Sequence, residues 1–334
     1  MGRQGQRRIA GIATVVVASL IAWIAYAAGL LAPLERITYD QRTRMLRADS
    51  EAPEEIALIL VDESSLSALD PLVGRWPWPR SLWADLLDFM AMAEPAAVAF
   101  DILFTEDELN DQGKGDRHFA AATQKLGSVV HASLFLEPTR EPNPSPVELP
   151  GSFAERFSFA VKGTLPGPSH TEGSLPLPAL QESAAAIGIV NANPDPDGIL
   201  RRQRPLYLYA GQAYPGLALA ALQEAGWAEG KATYREGKLH WGPGKLALDS
   251  DGNALLNIYA EFEAFSAAAV LSSLQRIRRG EINDLPVSPE EFTDRLVFIG
   301  ASAVGLHDIK ATPLSSHTPG VELHASLAGN LLAG

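Results

Sequence analysis

The sequence predicts an α/β fold: a parallel-sheet, three-layer core with an added antiparallel β segment, preceded by one transmembrane helix. Three observations predict it. Short unbroken apolar runs, Ile56 to Val61 and Ala96 to Phe100, each stop at an acidic residue, and the stretch between them repeats with helical spacing. Residues 232–259 break into short strand-like pieces at Glu236-Gly237 and Asp251-Gly252, both hairpin signals. Arg3, Arg7 and Arg8 precede an uncharged run from Ile9 to Leu34, long enough to cross a bilayer as a helix.

The arginine cluster places residues 1–8 in the cytoplasm, 9–34 in the membrane and the rest of the chain outside. Ala25-Tyr26-Ala27 also fits a small-x-small cleavage site, which would make the run a signal peptide; either way the large domain is exported. Residues 35–53 form a charged juxtamembrane linker, or a helical continuation of the anchor that ends before Pro53. The exported body spans 54–319, and 320–334, apolar again, reads as the start of an exit into a next membrane helix.

Within the body, Leu82, Leu86, Phe89 and Ala93 mark one face of a helix from about Ser81, ended by Glu94-Pro95. Strand, helix, strand then form a βαβ unit, with Asp62 and Asp101 at the ends of two adjacent strands. Asp116 is a candidate N-cap for a helix through Leu126, and Ser128 to Leu136 reads as a third strand, so the sheet is parallel with right-handed crossovers. Glu137 to Ser183, rich in Pro, Gly and Ser, reads as a long irregular excursion. Ala186 to Val190 and Arg201 to Tyr209 read as strands, Tyr214-Pro215 opens a helix through Ala225, Phe265 to Arg279 is a helix, and Arg295 to Gly300 is a further buried strand.

Composition narrows the function. A net charge of -13 leaves no basic face for phosphate contacts, which argues against nucleic-acid partners. The absence of cysteine rules out disulfides, thiolate metal sites and cysteine nucleophiles. No histidine pair has zinc spacing, and Gly300 to Gly305 matches neither a nucleophile elbow nor a P-loop; it resembles a small-residue turn that lets backbone approach a ligand.

The candidate site lies where ligands bind in such sheets, outside the carboxyl ends of the strands. Asp62, Glu63, Asp101, Asn191, Ser302 and Asp308 all fall there, with Arg80 nearby. They could bind a small molecule, or cap helices and pair with Arg80, Arg201 or Lys310. No cofactor motif is present; a divalent cation, Mg²⁺ or Ca²⁺, is the one candidate, with Asp62, Asp101, Asp195 and Asp197 as weak ligands. Asn193-x-Asp195-x-Asp197-Gly198 opens like a calcium loop, but its twelfth position is Arg204 and prolines fill the second and fourth. Trp76 and Trp78 either wall the site or pack beneath it.

In combination, several stretches resemble the type-2 CHASE domain, an extracytoplasmic sensory domain of bacterial receptors. They are Val61 to Leu66, Trp76-Pro77-Trp78-Pro79-Arg80, Ala99 to Phe104, Gly188 to Asn191 leading to Asp195 to Gly198 and Arg201-Arg202, Tyr214-Pro215, Leu296 to Ser302, Asp308, Thr312-Pro313 and Gly320 to Ala325. The resemblance covers about residues 40 to 330. It implies a sensor in the bacterial inner membrane with its bulk in the periplasm. The signal, a small molecule or protein, is unknown. The receptor would be a homodimer, with a cytoplasmic cyclase or kinase beyond this chain, which itself would carry no enzyme activity. Two rivals stand beside it: an exported metal-dependent phosphoesterase using Asp62 and Asp101, and a structural module that binds another envelope protein.

Overall fold

The structure is a computed structural model of the chain. It describes all residues except 1, 2, 28, 109–111, 137–148, 229 and 307, and leaves aside the side chains of 3–10 and 26. The first part of the Pro-rich excursion, 137–148, therefore lies outside the described residues.

Six parallel strands form the central sheet: β1 (Ile56–Val61), β2 (Ala97–Phe100), β3 (Val129–Leu136), β4 (Ala186–Ile189), β5 (Glu263–Ser266) and β6 (Leu296–Ala301). Their spatial order is β5-β1-β6-β2-β3-β4, and the short strand Glu172–Ser174 adds antiparallel to the end of β3. This corrects one expectation. β1 and β2 are not adjacent, because β6 inserts between them and pairs with both, Leu58 opposite Phe298 and Phe298 opposite Ala99. A βαβ pattern fixes that two strands are parallel but leaves room for a later strand between them.

Alternation along the strands divides the core. On one face Ala57, Ile59, Val61, Val98, Phe100, Val297 and Ile299 pack with helices α3 (Glu63–Val73), α4 (Arg80–Ala93), α5 (Lys114–Leu126) and α7 (Ala267–Arg278). On the other, Ile56, Leu58, Ala97, Ala99 and Phe298 pack with α6 (Leu217–Glu224) and α8 (Gly320–Ala333). The result is the expected three-layer core. The expected antiparallel segment is also present: Ala232–Arg235, Lys238–Trp241 and Gly244–Ala247 form consecutive hairpins, and Trp241 enters the α6–α8 core.

Several elements differ from their sequence reading. α3 was not foreseen: its buried face offers only Ser65 and Leu69, and Pro71 lies within it, so its apolar signal is weak. Asp116 is not the N-cap of α5, which starts after Gly113 at φ 70; Asp116 lies buried in the first turn. Tyr214-Pro215 ends a hairpin strand, Gln212–Pro215, and α6 begins only at Leu217. Phe265 belongs to the edge strand β5, whose half-exposed residues lack the continuous apolar run of an interior strand. The stretch 320–334, read as a membrane exit, holds α8, a helix buried from Gly320 through Leu331 except for Glu322.

At the N-terminus, α1 (Arg3–Ala27) and α2 (Ala32–Arg47) are separated by a turn at Gly29, so the apolar run 9–34 is not one helix. Among the described residues no helix is long and apolar enough to cross a membrane. The charged stretch expected as a linker is helical in α2, and it docks on the domain. Tyr39 Oη donates to the Leu256 carbonyl (3.2 Å), Arg44 Nε to the Pro313 carbonyl (2.7 Å), and Asp40 is gripped by Arg201.

Candidate functional site

The chain after β6 leads to α8 on one side of the sheet, whereas that after β2 leads to α5 on the other. Neighbouring strands whose connections diverge open a crevice at their carboxyl ends. A pocket of about 420 Å³ lies there. Asp101, Ile102 and Leu103 follow β2, Ala301 closes β6, Leu134 comes from β3, Val190 and Ala192 follow β4, and Gly320 and His324 come from the first turns of α8. Asp308 and Lys310 rise from the loop between β6 and α8, and Trp76 supplies an aromatic wall.

The pocket is an apolar bowl with four charged or titratable groups. Asp101 is 9% exposed, and its nearest ionisable partner is His324 Nε2 at 3.8 Å, beyond hydrogen-bond reach. Burial pushes its carboxyl up to about 7, partly offset by the charge of Lys310. Asp308 pairs with Lys310 Nζ at 3.1 Å. Burial and then the charge of Asp101 raise Asp308 to about 6, while Lys310 and His324 pull it down. Burial lowers His324 to about 4, so it is neutral at pH 7, with Asp308 and Lys310 acting in opposite directions.

Backbone geometry makes this arrangement possible. Gly320 starts α8 and donates its amide to the Asp308 carbonyl at 2.8 Å. A Cβ there would lie 2.5 Å from Asp308 Oδ2, so the glycine lets the carboxylate sit against the helix start. Gly300 serves a different contact from the one expected of the small-residue turn. A Cβ on it would lie 2.5 Å from Val321 Cβ, so its bareness admits α8, not a ligand.

The structure brings Asp101 and Asp308 together and distributes the other expected site residues elsewhere. Asp62 is the N-cap of α3. Partial burial opposes its ionisation, but hydrogen bonds from Ser65, Ser64 and Ser266 outweigh it and hold its pKa below the ordinary carboxylate value. Glu63 accepts the Val304 amide at 3.0 Å. Ser302 donates its amide to the Val61 carbonyl at the end of β1, which the Ala303 amide also reaches. Asn191 is a clamp: its Oδ1 accepts the Phe135 amide, its Nδ2 donates to the Phe135 carbonyl, and its own carbonyl accepts from Gln203 and Tyr207. Arg80 lies over the Phe104 ring at 4.8 Å and reaches Asp116 at 3.3 Å, tying α4 to α5.

The weak metal candidates are placed likewise. Asp195 and Asp197 both bond Arg201 Nη1, at 2.8 and 2.9 Å, and Asp195 also takes Arg202 at 2.6 Å. The guanidinium of Arg201, followed by partial desolvation, dominates the Asp197 pKa, which falls to about 2. Asp62 and Asp101 end strands that β6 keeps about 10 Å apart. Among the described residues no group of three or more His, Asp or Glu side chains converges as a metal site.

Sequence reading offered Lys310 only as a pairing partner for the strand-end acids and missed His324 as a pocket group. His324 falls four residues after Gly320, on the same helix face, and Lys310 two residues after Asp308, so both were within reach of simple spacing arguments. Trp76 lines the pocket while Trp78 packs beneath it, 5.6 Å from Trp83 in an aromatic cluster with Phe100, Phe104 and Phe119.

A family model, the CHASE2 domain, matches residues 14–334. The chain belongs to the CHASE2 family. CHASE2 domains are sensory domains of receptors, so the crevice belongs to a sensor fold. No curated protein and no solved structure matches the chain.

Proposed function

We propose that this CHASE2 chain is the extracytoplasmic part of a transmembrane receptor that binds its signal in the Asp101–Lys310 pocket and passes a shift through α2 to the membrane and a cytoplasmic cyclase or kinase. The observation that carries the reading is a short bonded path from the pocket to α2. Lys310 is followed by Ala311, whose carbonyl accepts the Leu200 amide at 2.7 Å. The next residue, Arg201, holds Asp40 of α2 through two nitrogens, at 2.6 and 2.7 Å. Two residues on from Ala311, the Pro313 carbonyl accepts from Arg44 of α2. A signal that repositions the Asp308–Lys310 loop therefore acts on both anchors of the same helix. It can shift the equilibrium only by its differential affinity for the two arrangements.

The membrane attachment draws support from α1, whose Ile12, Val15, Val16, Leu20, Ile21 and Trp23 are all exposed, the surface chemistry of a lipid-facing helix. The positive residues Arg3, Arg7 and Arg8 mark its cytoplasmic side. The receptor is read as a homodimer in the bacterial inner membrane, with the CHASE2 domain in the periplasm. Melting curves against a panel of metabolites and metal ions test the site. At least one compound well above its dissociation constant raises the melting temperature of the wild type by a few degrees and leaves Ala192→Trp, which fills the pocket, unchanged. Equal shifts in both proteins would place the signal elsewhere.

A further inference from the structure

We infer that the pocket is built for an organic cation, a primary amine carried on a short apolar or aromatic body, with the Asp101 carboxylate as the acceptor of its ammonium group. This inference rests on the reading of the pocket as the signal site and names its ligand class. Asp101 is 91% buried by its 9% exposure, lines the pocket, and has no hydrogen-bond partner for its carboxylate among the described residues. Its oxygens are not sealed from solvent but open on the pocket, where a ligand's donor can reach them. The other acid of the pocket is already served. Asp308 has Lys310 at 3.1 Å and lies against the start of α8.

Charge counting points the same way. Two carboxylates face one lysine, and His324 is neutral at pH 7, so the fully ionised pocket lacks one positive charge. Burial keeps Asp101 near half-protonated at neutral pH, and an ammonium beside it would hold it ionised. A bare divalent ion fits less well, since Ca²⁺ and Mg²⁺ require about six oxygen ligands and the remaining walls are Trp76, Ile102, Leu134, Val190 and Leu306. Those walls instead suit the hydrocarbon part of an amine, with the Trp76 ring beside the cation or the body. The 420 Å³ volume is in the range of small-molecule sites.

The test is titration calorimetry on the full chain at pH 8, using 2-phenylethylamine and n-butylamine, their alcohol isosteres, and 3-phenylpropionate. The amines are expected to bind at least about tenfold more tightly than the alcohols. Asp101→Asn is expected to lose about tenfold in amine affinity. Lys310→Met is expected to gain, because it removes the competing cation, an outcome a merely structural Asp101 would not produce. Asp62→Asn serves as the control and leaves amine affinity unchanged. Amines that bind no better than alcohols, or equally well to Asp101→Asn, overturn the inference. Binding of 3-phenylpropionate that Lys310→Met abolishes, with no amine binding, overturns the ligand class and leaves the pocket as the signal site. No pocket-dependent ligand, either here or in the Ala192→Trp comparison, overturns both readings.

Discussion

Arg201 and Asp40 form a two-point ion pair, Nε to Oδ1 at 2.6 Å and Nη2 to Oδ2 at 2.7 Å, that joins a residue 2% exposed in the domain to helix α2, 161 positions earlier. The same guanidinium also bonds Asp195 and Asp197, so one buried cation organises three carboxylates from two segments. Hydrogen bonding to Asp40, the largest influence, raises the Arg201 pKa well beyond its ordinary value despite burial. Removing the arginine leaves Asp40 without its cation, and leaves Asp195 only Arg202 and Asp197 only Arg36. Arg201→Met is expected to cost about 3–5 kcal/mol in urea unfolding, the range for breaking a buried ion pair. Asp40→Asn keeps the other two carboxylates paired. It is expected to leave the core folded and to release α2, read as faster tryptic cleavage after Arg42, Arg44 and Arg47.

Packing of α8 on β6 depends on Gly300. Gly300→Ala forces a Cβ against Val321 in a core that cannot move aside, with an expected loss of about 1–3 kcal/mol. Val321→Ala in the same chain should recover part of that loss. A double-mutant cycle by denaturant unfolding measures the coupling. Simple additivity of the two changes would show that the contact does not limit the packing.

Asn191 was expected at the ligand, and its side chain is found bonded to the Phe135 backbone at both ends. Asn191→Ala leaves the Phe135 amide and carbonyl unserved in a buried position. The expected cost is about 1–3 kcal/mol of stability, with the amine affinity of the Asp101 pocket unchanged. Melting curves and calorimetry on the same preparation separate the two effects.

The pocket carboxyl gives a pH signature. The Asp101 pKa rises from 3.8 to about 7 on folding, so its proton is held more tightly in the folded chain. Its contribution to stability is fully present below pH 4 and is lost as pH rises toward 7. Asp308, raised to about 6, acts in the same direction. His324, lowered from 6.5 to about 4, acts in the opposite one: its contribution is present above pH 6.5 and is lost as pH falls toward 4. Comparing wild type with Asp101→Asn removes the titration of Asp101 together with the upward push its charge exerts on Asp308. Between pH 4 and 7 the variant should gain on the wild type by roughly 1–4 kcal/mol, with little further change above pH 8. Urea midpoints across that range check it, and parallel curves would refute the buried-carboxyl account.

Much of the fold was legible because interior parallel strands are continuous apolar runs. Ile56 to Val61, Ala96 to Phe100 and Leu296 to Gly300 announce themselves in that way. The edge strand β5 and the helix α3 do not, since half-exposed residues and serines carry little hydrophobic period. Strand order was out of reach of local pattern. The insertion of β6 between β1 and β2 is a contact between residues some 240 positions apart, and it is what separates Asp62 from Asp101. Reading acids near strand ends put Asp101 and Asp308 among the candidates, and these two line one pocket. It could not distinguish them from Asp62, Asp195 and Asp197, whose cap and arginine partners are fixed only by tertiary structure.

The central claim is that filling the pocket moves α2. The chain has no native cysteine, so two spin labels can be placed without background, at Met45 on α2 (84% exposed) and at Met92 on α4 (44% exposed). Pulsed electron spin distance measurement, with and without the compound that gives the largest melting shift, reads the α2 position directly. The account predicts a displacement on the order of 1–2 Å, or a redistribution between two distances, in the wild type and neither in Ala192→Trp. A saturating ligand that leaves the distance distribution of the wild type unchanged would contradict it.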